Sequence, residues 1–279
     1  MRIGRGLAAA LLAAAALNAC TDVSTDPQVP VSLQFDSLPA LAVVVGDTMR
    51  GGDLVPVAVP VRAFDGSGSI VSDSQVRLIG IDTTSVKAFR VIGGLRLVGT
   101  TETAAVRIVA QAGSLQSQTQ TFAVVPAPTA MVTSNTASDS IVYDRPDTAL
   151  RFRDANVNVI RQVTPESTLV SLNGLRVRMR VVSFSTTILD SVRLVGTGSG
   201  RPATSAVVTG GVAALRLKAY TRSGATGTGT VVLEASHRAR GVEIAGSPLR
   251  ITLRLVPFTL ASRSVSGDRV PLAPARTLP

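Results

Sequence analysis

The segment that decides the fold is "GLRVRMRVVSF", residues 174–184, in which apolar and basic side chains alternate. The apolar side chains of one parity are Leu175, Val177, Met179 and Val181. The basic side chains of the other parity are Arg176, Arg178 and Arg180. Successive side chains of a β-strand point to opposite faces, so this period of two predicts a strand. Its apolar face would lie on a hydrophobic core, and its arginines would project outward at intervals of about 6.8 Å.

The same alternation continues on both sides of this segment. The further predicted strands are "SVRLVGTGSG" (191–200), "GGVAALRLKAY" (210–220), "GTVVLEAS" (229–236) and "PLRITLRLV" (248–256). Two of them carry more basic residues on the outer parity, namely Arg216 with Lys218 and Arg250 with Arg254. If all these strands are neighbours in one sheet, they form a single basic face. The candidate polyanion-binding face therefore consists of Arg176, Arg178, Arg180, Arg216, Lys218, Arg250 and Arg254.

The earlier part of the chain also consists of short apolar segments. The predicted strands are "VSLQF" (31–35), "LAVVVGD" (41–47), "LVPVAVPVRAF" (54–64) and "QVRLIGI" (75–81). A hairpin is expected in "AAVRIVAQAGSLQSQTQTFAVV" (104–125), with its turn at Ala112–Ser114. Many short strands separated by turn residues indicate a sandwich of two antiparallel sheets. The fold class predicted for the whole chain is all-β, with two such sandwiches in tandem.

Changes in composition predict five regions. They are a signal peptide at 1–19, a tether at 20–29, a first sandwich at 30–126, a second, enlarged sandwich at 127–258, and a disordered tail at 259–279. The boundary between the sandwiches is placed at "PAPT" (126–129), where two prolines stiffen a linker. Because the second region is long for one sandwich, extra strands or a large loop are expected between Ser134 and Leu172.

Several segments resemble bacterial immunoglobulin-like domains. The first region resembles group 2 of these domains in "VGDT" (45–48), "AFDGSGSIVSDSQVRL" (63–78), "DTTSVKAF" (82–89), "GLRLVGT" (94–100) and the final hairpin. The second region resembles group 1, found in invasin-type proteins, in Gly211–Ala213 and in "GTGTVVLEAS" (227–236). The resemblance implies an immunoglobulin-like β-sandwich for each region and a role in adhesion or interaction.

The N-terminus, "MRIGRGLAAALLAAAALNAC", has the features of an export signal. Arg2 and Arg5 precede an apolar run, residues 6–17, that is shorter than the roughly 20 residues of a membrane-spanning helix. Residues 17–20, "LNAC", resemble the lipobox of bacterial lipoproteins. This resemblance implies cleavage before Cys20, which is the only cysteine of the chain, and lipidation of that residue. The alternative is an exported protein that is cut at an ordinary signal-peptidase site.

Lipidation of Cys20 would anchor the protein to a membrane of the cell envelope, outside the cytoplasm. Thr21 follows the cysteine, in the place of the aspartate that retains some lipoproteins at the inner membrane, so the outer membrane is the expected location. The body of the protein would then face the periplasm or the cell surface. Export also removes nucleic acid as a partner, although the chain has 28 Lys and Arg against 18 Asp and Glu.

The sequence offers little material for catalysis or cofactor binding. His237 is the only histidine and is expected to be a solvated loop residue, so neither a zinc site nor another cofactor is predicted. Calcium binds oxygen ligands, which aspartate side chains can supply. The aspartates considered for such a site are Asp65, Asp73, Asp82, Asp139, Asp144, Asp147 and Asp154. They lack the spacing of a dedicated calcium loop and are interpreted as turn residues. Structural calcium between the sandwiches is the alternative.

These observations predict a non-catalytic envelope lipoprotein that acts in adhesion, interaction or structural spacing. One alternative is an accessory or ligand-binding subunit of an envelope complex, and another is a hydrolase with an unusual site. The expected partners of the basic face are acidic polysaccharide, lipopolysaccharide or another envelope protein. The opposing interpretation is that the arginines form an ordinary solvated face and reflect the composition of the genome.

Overall fold

The computed structural model describes residues 29–72, 75–81, 84–92, 94–136, 139–143, 150–163 and 168–257. In these ranges the protein is all-β and has no α-helix. Accordingly, the described part contains no helix that could span a membrane. The predicted signal peptide, Cys20 and the C-terminal tail lie outside the described residues. The same holds for four of the seven aspartates considered above, namely Asp73, Asp82, Asp144 and Asp147.

The strands up to residue 125 pair with one another and form the first sandwich. They are β1 (Ser32–Phe35), β2 (Ala42–Val44), β3 (Val61–Phe64), β4 (Ile70–Val71), β5 (Arg77–Gly80), β6 (Val86–Val91), β7 (Gly94–Gly99), β8 (Thr103–Ala112), β9 (Leu115–Gln116) and β10 (Gln120–Val125). One sheet has the order β2-β10-β8-β5, with β9 paired to β8. Strands β1-β3-β4 and the hairpin β6-β7 make up the rest, and a bridge between Val59 and Leu95 leads from β7 to the segment before β3.

Two predictions about local structure in the first sandwich have different outcomes. The hairpin turn is confirmed, because Ala112 pairs with Leu115 and Gly113 adopts a positive φ of 58°. The long strand over residues 54–64 is wrong in its first half, since regular pairing begins only at Val61. Pro56 and Pro60 lack the N–H groups that a continuous ladder would need, and only isolated bridges form before β3.

The strands from residue 130 onward form the second sandwich. They are β11 (Ala130–Thr133), β12 (Ser140–Tyr143), β13 (Leu150–Val163), β14 (Thr168–Ser171), β15 (Arg176–Phe184), β16 (Leu189–Gly196), β17 (Ser205–Val207), β18 (Ala213–Thr221), β19 (Gly229–Ser236), β20 (Arg238–Ala239), β21 (Val242–Glu243) and β22 (Leu249–Pro257). One sheet, here called the arginine sheet, has the order β12-β22-β19-β15-β17. The opposite sheet has the order β11-β13-β18-β16, with β14 paired to β13. The expected extra strands between Ser134 and Leu172 are β12, β13 and β14.

The core of the second sandwich is built by the alternation that the sequence shows. Leu175, Val177 and Met179 are buried, as are Leu215, Leu217, Leu233, Leu253 and Leu255 on the facing and adjacent strands. Burying one such side chain contributes roughly 1.5–3 kcal/mol. Tyr143 is also fully buried, and its hydroxyl donates a hydrogen bond to the carbonyl of Gly227. The period-two pattern thus gives the inward residues of β15 correctly.

The antiparallel arrangement predicted for both sandwiches has two exceptions. β2 runs parallel to β10, and β12 runs parallel to β22. In each sandwich the first two strands belong to different sheets. The second strand lies beside the last one, so that β2 pairs with β10 and β12 pairs with β22. Alternation of side chains does not encode the direction of the neighbouring strand, so the sequence pattern could not reveal these pairings.

Candidate functional site: the arginine sheet and the interdomain junction

The arginine sheet carries four exposed arginines on its outer surface. Here they are called the arginine face, and they are Arg178, Arg180, Arg250 and Arg254. The ladder places Glu234 of β19 between Arg180 and Arg250, and Thr230 beside Arg254. Glu234 accepts a hydrogen bond from Arg180 Nε at 2.8 Å and forms an ion pair with its terminal nitrogen at 2.7 Å. Arg180 and Arg250 thus flank one carboxylate, while Arg178 pairs with Ser236 and Arg254 pairs with Thr230.

Two residues of the predicted basic face lie elsewhere. Arg216 and Lys218 are on β18, which belongs to the opposite sheet. Arg216 Nε donates to Asp154 at 2.8 Å, and this hydrogen bond raises the pKa of the guanidinium. The prediction of one continuous face of seven residues is therefore wrong. Strands with the same alternation were assigned to one sheet, whereas the fold distributes them over two.

Arg176 shares the parity of Arg178 and Arg180 but does not project into solvent. Its Nε donates to the carbonyl of Pro39 in the first sandwich, and its Nη1 donates to Ser205 Oγ at 3.0 Å. Burial lowers the pKa of its guanidinium. The expected outward position of Arg176 is wrong, because the first sandwich packs against this end of β15. Arg176 joins the two sandwiches and does not belong to the arginine face.

A groove between the sandwiches borders one end of the arginine face. It is lined by Arg178, Arg180 and Arg238 of the second sandwich, and by the carboxylates of Asp53, Glu234 and Glu243. Arg238 and Glu243 form an ion pair at 3.3 Å. Since three basic residues meet three acidic ones, the groove itself offers little excess charge. The positive excess lies outside the groove, at Arg250 and Arg254 on β22.

The two sandwiches share strand β2, which packs on both of its faces. Val43 belongs to the core of the first sandwich, while Ala42 and Val44 belong to the core of the second. On the neighbouring strand β10, Val124 points into the first core, and Ala123 and Val125 pack on the second. A strand that is buried on both faces reads as a continuous apolar run, which is what "LAVVV" shows. The sequence therefore contained a signal for this contact.

Hydrogen bonds reinforce the apolar contact at the junction. The backbone N–H groups of Leu41 and Ala42 both donate to the carbonyl oxygen of Gly174, at 3.1 Å each. Gly174 has a φ of 84°, and a Cβ atom there would lie 2.7 Å from the Cβ of Ala42. Glycine is therefore required for the close approach of the two chains at this point.

Asp47 is the centre of a buried polar cluster in the junction. Its carboxylate accepts two hydrogen bonds from Arg50, each at 2.9 Å, and one from the backbone N–H of Thr48 at 2.7 Å. The backbone N–H of Arg240, in the second sandwich, donates to the same carboxylate at 2.6 Å. The side chains of Asp47 and Arg50 are only 6% and 13% exposed. This arrangement satisfies the buried carboxylate and ties it to both sandwiches.

Arg240 comes from a tight hairpin that contacts the first sandwich. It lies between β20 and β21 with a φ of 52°, followed by Gly241 with a φ of 82°. Two successive positive φ values define a type I′ turn, in which arginine is uncommon. The hydrogen bond to Asp47, and a second from Arg240 Nε to the carbonyl of Val45 at 2.9 Å, hold the residue in this conformation.

His237 lies in the junction, and its expected position in a solvated loop is wrong. Its side chain is only 3% exposed. Its Nδ1 lies 2.7 Å from the carbonyl oxygen of Arg176, and its backbone N–H donates to Ser247 Oγ at 3.1 Å. Burial lowers the pKa of the imidazole. The flanking arginines suggested exposure, but the first sandwich covers this end of β19.

The aspartates that are described behave as turn and network residues. Asp65, in the turn between β3 and β4, accepts hydrogen bonds from Ser67 and Ser69, and the bond from the Ser67 hydroxyl is the main cause of its lowered pKa. Asp139 accepts a hydrogen bond from Asn135 at 2.8 Å. Within the described ranges, no group of three or more His, Cys, Asp or Glu side chains could hold a metal ion.

Comparison with known proteins gives distant structural likenesses only. No family model matches the chain, and no characterised protein matches it in sequence. Among solved structures, the chain is similar to domains 4–9 of the surface-layer protein SbsC, with 14% identity and a TM-score of 0.27 over 83% of this chain and 32% of that one. It is also similar to the Yersinia pseudotuberculosis adhesin InvE, with 14% identity and a TM-score of 0.29 over 78% and 57%.

A third likeness is to the endo-fucoidan hydrolase MfFcnA9, with 11% identity and a TM-score of 0.36 over 82% of this chain and 34% of that one. The chain thus spans between about a third and about three fifths of the length of these proteins. The three scores are low, and the three proteins differ in kind. The fold assignment therefore rests on the strand pairing described above.

Proposed function

We propose that this protein is a lipid-anchored, non-catalytic module of the cell envelope in which two immunoglobulin-like β-sandwiches form one stiff unit. The observation that carries this proposal is the junction, where β2 packs in both cores and Asp47 bonds to residues of both sandwiches. Sandwiches joined only by a flexible linker would move independently. A stiff pair instead holds its far end at a fixed distance from its tether, as a spacer or adhesion module requires.

The position of His237 supports a role without catalysis. Histidine is the most common general base of hydrolases, and this chain has one. Its ring is buried, and the atom Nδ1 is engaged by a backbone carbonyl. The other ring nitrogen, Nε2, borders only a crevice of about 20 Å³, which has room for a water molecule but not for a substrate.

The anchor in this proposal is Cys20, and its replacement provides a direct test. We expect the variant Cys20→Ser to incorporate no labelled palmitate and to escape cleavage by lipoprotein signal peptidase, because the thiol to which the lipid is attached is missing. Wild-type protein should accumulate as the unprocessed precursor when lipoprotein signal peptidase is inhibited. Normal processing in the presence of the inhibitor would contradict lipidation. Protease treatment of intact cells would then distinguish surface display from a periplasmic orientation.

We further propose that the arginine face binds an acidic envelope polysaccharide or the phosphates of lipopolysaccharide. The support is the excess of positive charge around Arg250 and Arg254, beyond the ion pair of Arg180 with Glu234. Such binding depends on charge and weakens as salt screens it, with a Debye length of about 10 Å at 0.1 M.

Replacing Arg178, Arg250 and Arg254 together by serine tests the arginine face. We expect the affinity for dextran sulfate at low salt to fall by about tenfold or more, because each arginine near an anionic surface contributes on the order of 1 kcal/mol. The control replaces Arg77, Arg107 and Arg193, which are exposed on other strands, and changes the net charge by the same amount. Equal losses in the two triple variants would show that net charge, and not this face, governs binding.

A further inference from the structure

The imidazole of His237 faces a small crevice between the two sandwiches. The crevice has a volume of about 20 Å³, which is room for a single water molecule. Because the Arg176 carbonyl can only accept a hydrogen bond, Nδ1 must carry the proton, and a neutral ring then leaves a lone pair on Nε2. Nε2 is buried and has no hydrogen-bond partner in the protein.

The charged groups around this crevice come from three elements. Asp47 and Arg50 lie in the segment after β2, Arg176 lies on β15, and Arg238 lies on β20. Asp47 is already engaged by Arg50 and by the backbone of Arg240. A proton on Nε2 would therefore add a positive charge that is shielded from bulk water, near Arg50 and near a carboxylate that already accepts other hydrogen bonds. Charges of like sign in a site shielded from water repel each other strongly.

We propose that His237 makes the junction sensitive to pH. Protonation of Nε2 in mildly acidic conditions places a charge in a buried crevice where no protein group accepts its hydrogen bond. This charge weakens the contacts between the sandwiches, so that they can move relative to each other. The inference rests on the proposed function to the extent that both require a rigid junction at neutral pH. It adds a condition under which that rigidity is lost.

The direction of the pH effect follows from the environment of the ring. Burial lowers the pKa of His237, and Arg50 lowers it further, against the opposing effects of the Arg176 carbonyl and of Asp47. An exposed histidine has a pKa of about 6.5. The opened junction therefore binds a proton more readily than the closed one. The stabilisation from His237 is fully present above about pH 6.5 and is lost as the pH falls below it.

Hydrogen exchange on the full chain in detergent micelles, with an affinity tag that contains no histidine, tests this inference. The reporter is the backbone N–H of Arg240, which bonds to Asp47 across the junction. After correction for the intrinsic exchange rate, we expect its protection to fall by about tenfold or more between about pH 7.5 and pH 5. NMR of the single imidazole should show protonation over the same range.

The variant His237→Asn separates titration from packing. Its amide nitrogen can donate to the Arg176 carbonyl in the place of Nδ1, but it does not titrate. We expect Arg240 to keep its protection from pH 7.5 to pH 5 in this variant. The matched control is Ser247→Ala, which removes the acceptor of the His237 backbone N–H but keeps the imidazole. It should retain the pH dependence.

Three results would contradict these statements in different ways. A missing protection of Arg240 at pH 7.5 would overturn the stiff unit itself and with it the proposed function. Protection that persists to pH 5 in the wild type would overturn only the pH sensitivity. An equal loss of protection in the wild type and in His237→Asn would show that another group is responsible.

Discussion

Replacing Asp47 by alanine is expected to lower the free energy of unfolding of the first sandwich by about 3–5 kcal/mol. The carboxylate accepts hydrogen bonds from Arg50 and from the backbone of Thr48 and Arg240. Its removal leaves the guanidinium of Arg50, 13% exposed, without its counter-ion, and leaves a backbone N–H at the junction without its acceptor. The midpoint and slope of urea unfolding measure this change.

The control for this experiment is Asp36→Ala. Asp36 also forms an ion pair with an arginine, Arg62, at 2.9 Å, but these side chains are 35% and 52% exposed. Exposed pairs contribute about 0–1 kcal/mol, so we expect a small effect. If the two variants were equally stable, the burial of Asp47 in the junction would not increase its contribution to the free energy of unfolding.

Replacing Gly174 by alanine should destabilise the junction by about 2–5 kcal/mol. Two effects add up to this value, namely the strain of alanine in a left-handed backbone conformation and overpacking by the new Cβ atom. The new Cβ would lie 2.7 Å from the Cβ of Ala42 and 2.8 Å from the carbonyl carbon of Leu41. Because the new Cβ would meet backbone atoms of Leu41 and Ala42, a change of side-chain rotamer could not relieve the clash. We expect the hydrogen bonds from Leu41 and Ala42 to Gly174 to break, and the unfolding of the sandwiches to separate into two transitions in calorimetry.

Gly113→Ala provides the matched control for this glycine. Gly113 also has a positive φ, 58°, but an added Cβ would have no heavy atom within 4 Å. The substitution therefore measures the backbone strain alone, which amounts to about 1–2 kcal/mol. A Gly174→Ala variant no less stable than Gly113→Ala would mean that the sandwiches do not approach as closely as described.

The local pattern of the sequence predicted the strands of the second sandwich well. In β15, Val177 and Met179 are buried and Arg178 and Arg180 are exposed, as the period of two requires, and Leu175 directly before this strand is buried as well. This part was predictable because the alternation reflects only which face of a strand meets a core. The prediction was wrong at Arg176, where the first sandwich covers the outer face of the strand.

The assignment of strands to sheets could not be obtained in the same way. Like β15 and β22, β18 alternates apolar residues with outward basic residues. It nevertheless lies in the opposite sheet, where Arg216 forms a hydrogen bond with Asp154. Either sheet presents the same pattern of inward and outward residues. Long-range pairing removes Arg216 and Lys218 from the seven predicted residues, and packing of the first sandwich removes Arg176, which leaves the four of the arginine face.

The sequence by itself predicted the all-β fold that the described residues have and which residues of most strands face a core, and it is the basis of the proposed export and lipidation signals. These properties depend on short segments, because the pleat of a strand and a signal motif are each read within a few residues. The tertiary structure alone decided which strands share a sheet, that His237 is buried and that Asp47 bonds to both sandwiches. Such contacts join residues nearly 200 positions apart, and burial and electrostatic environment arise only when those surfaces meet.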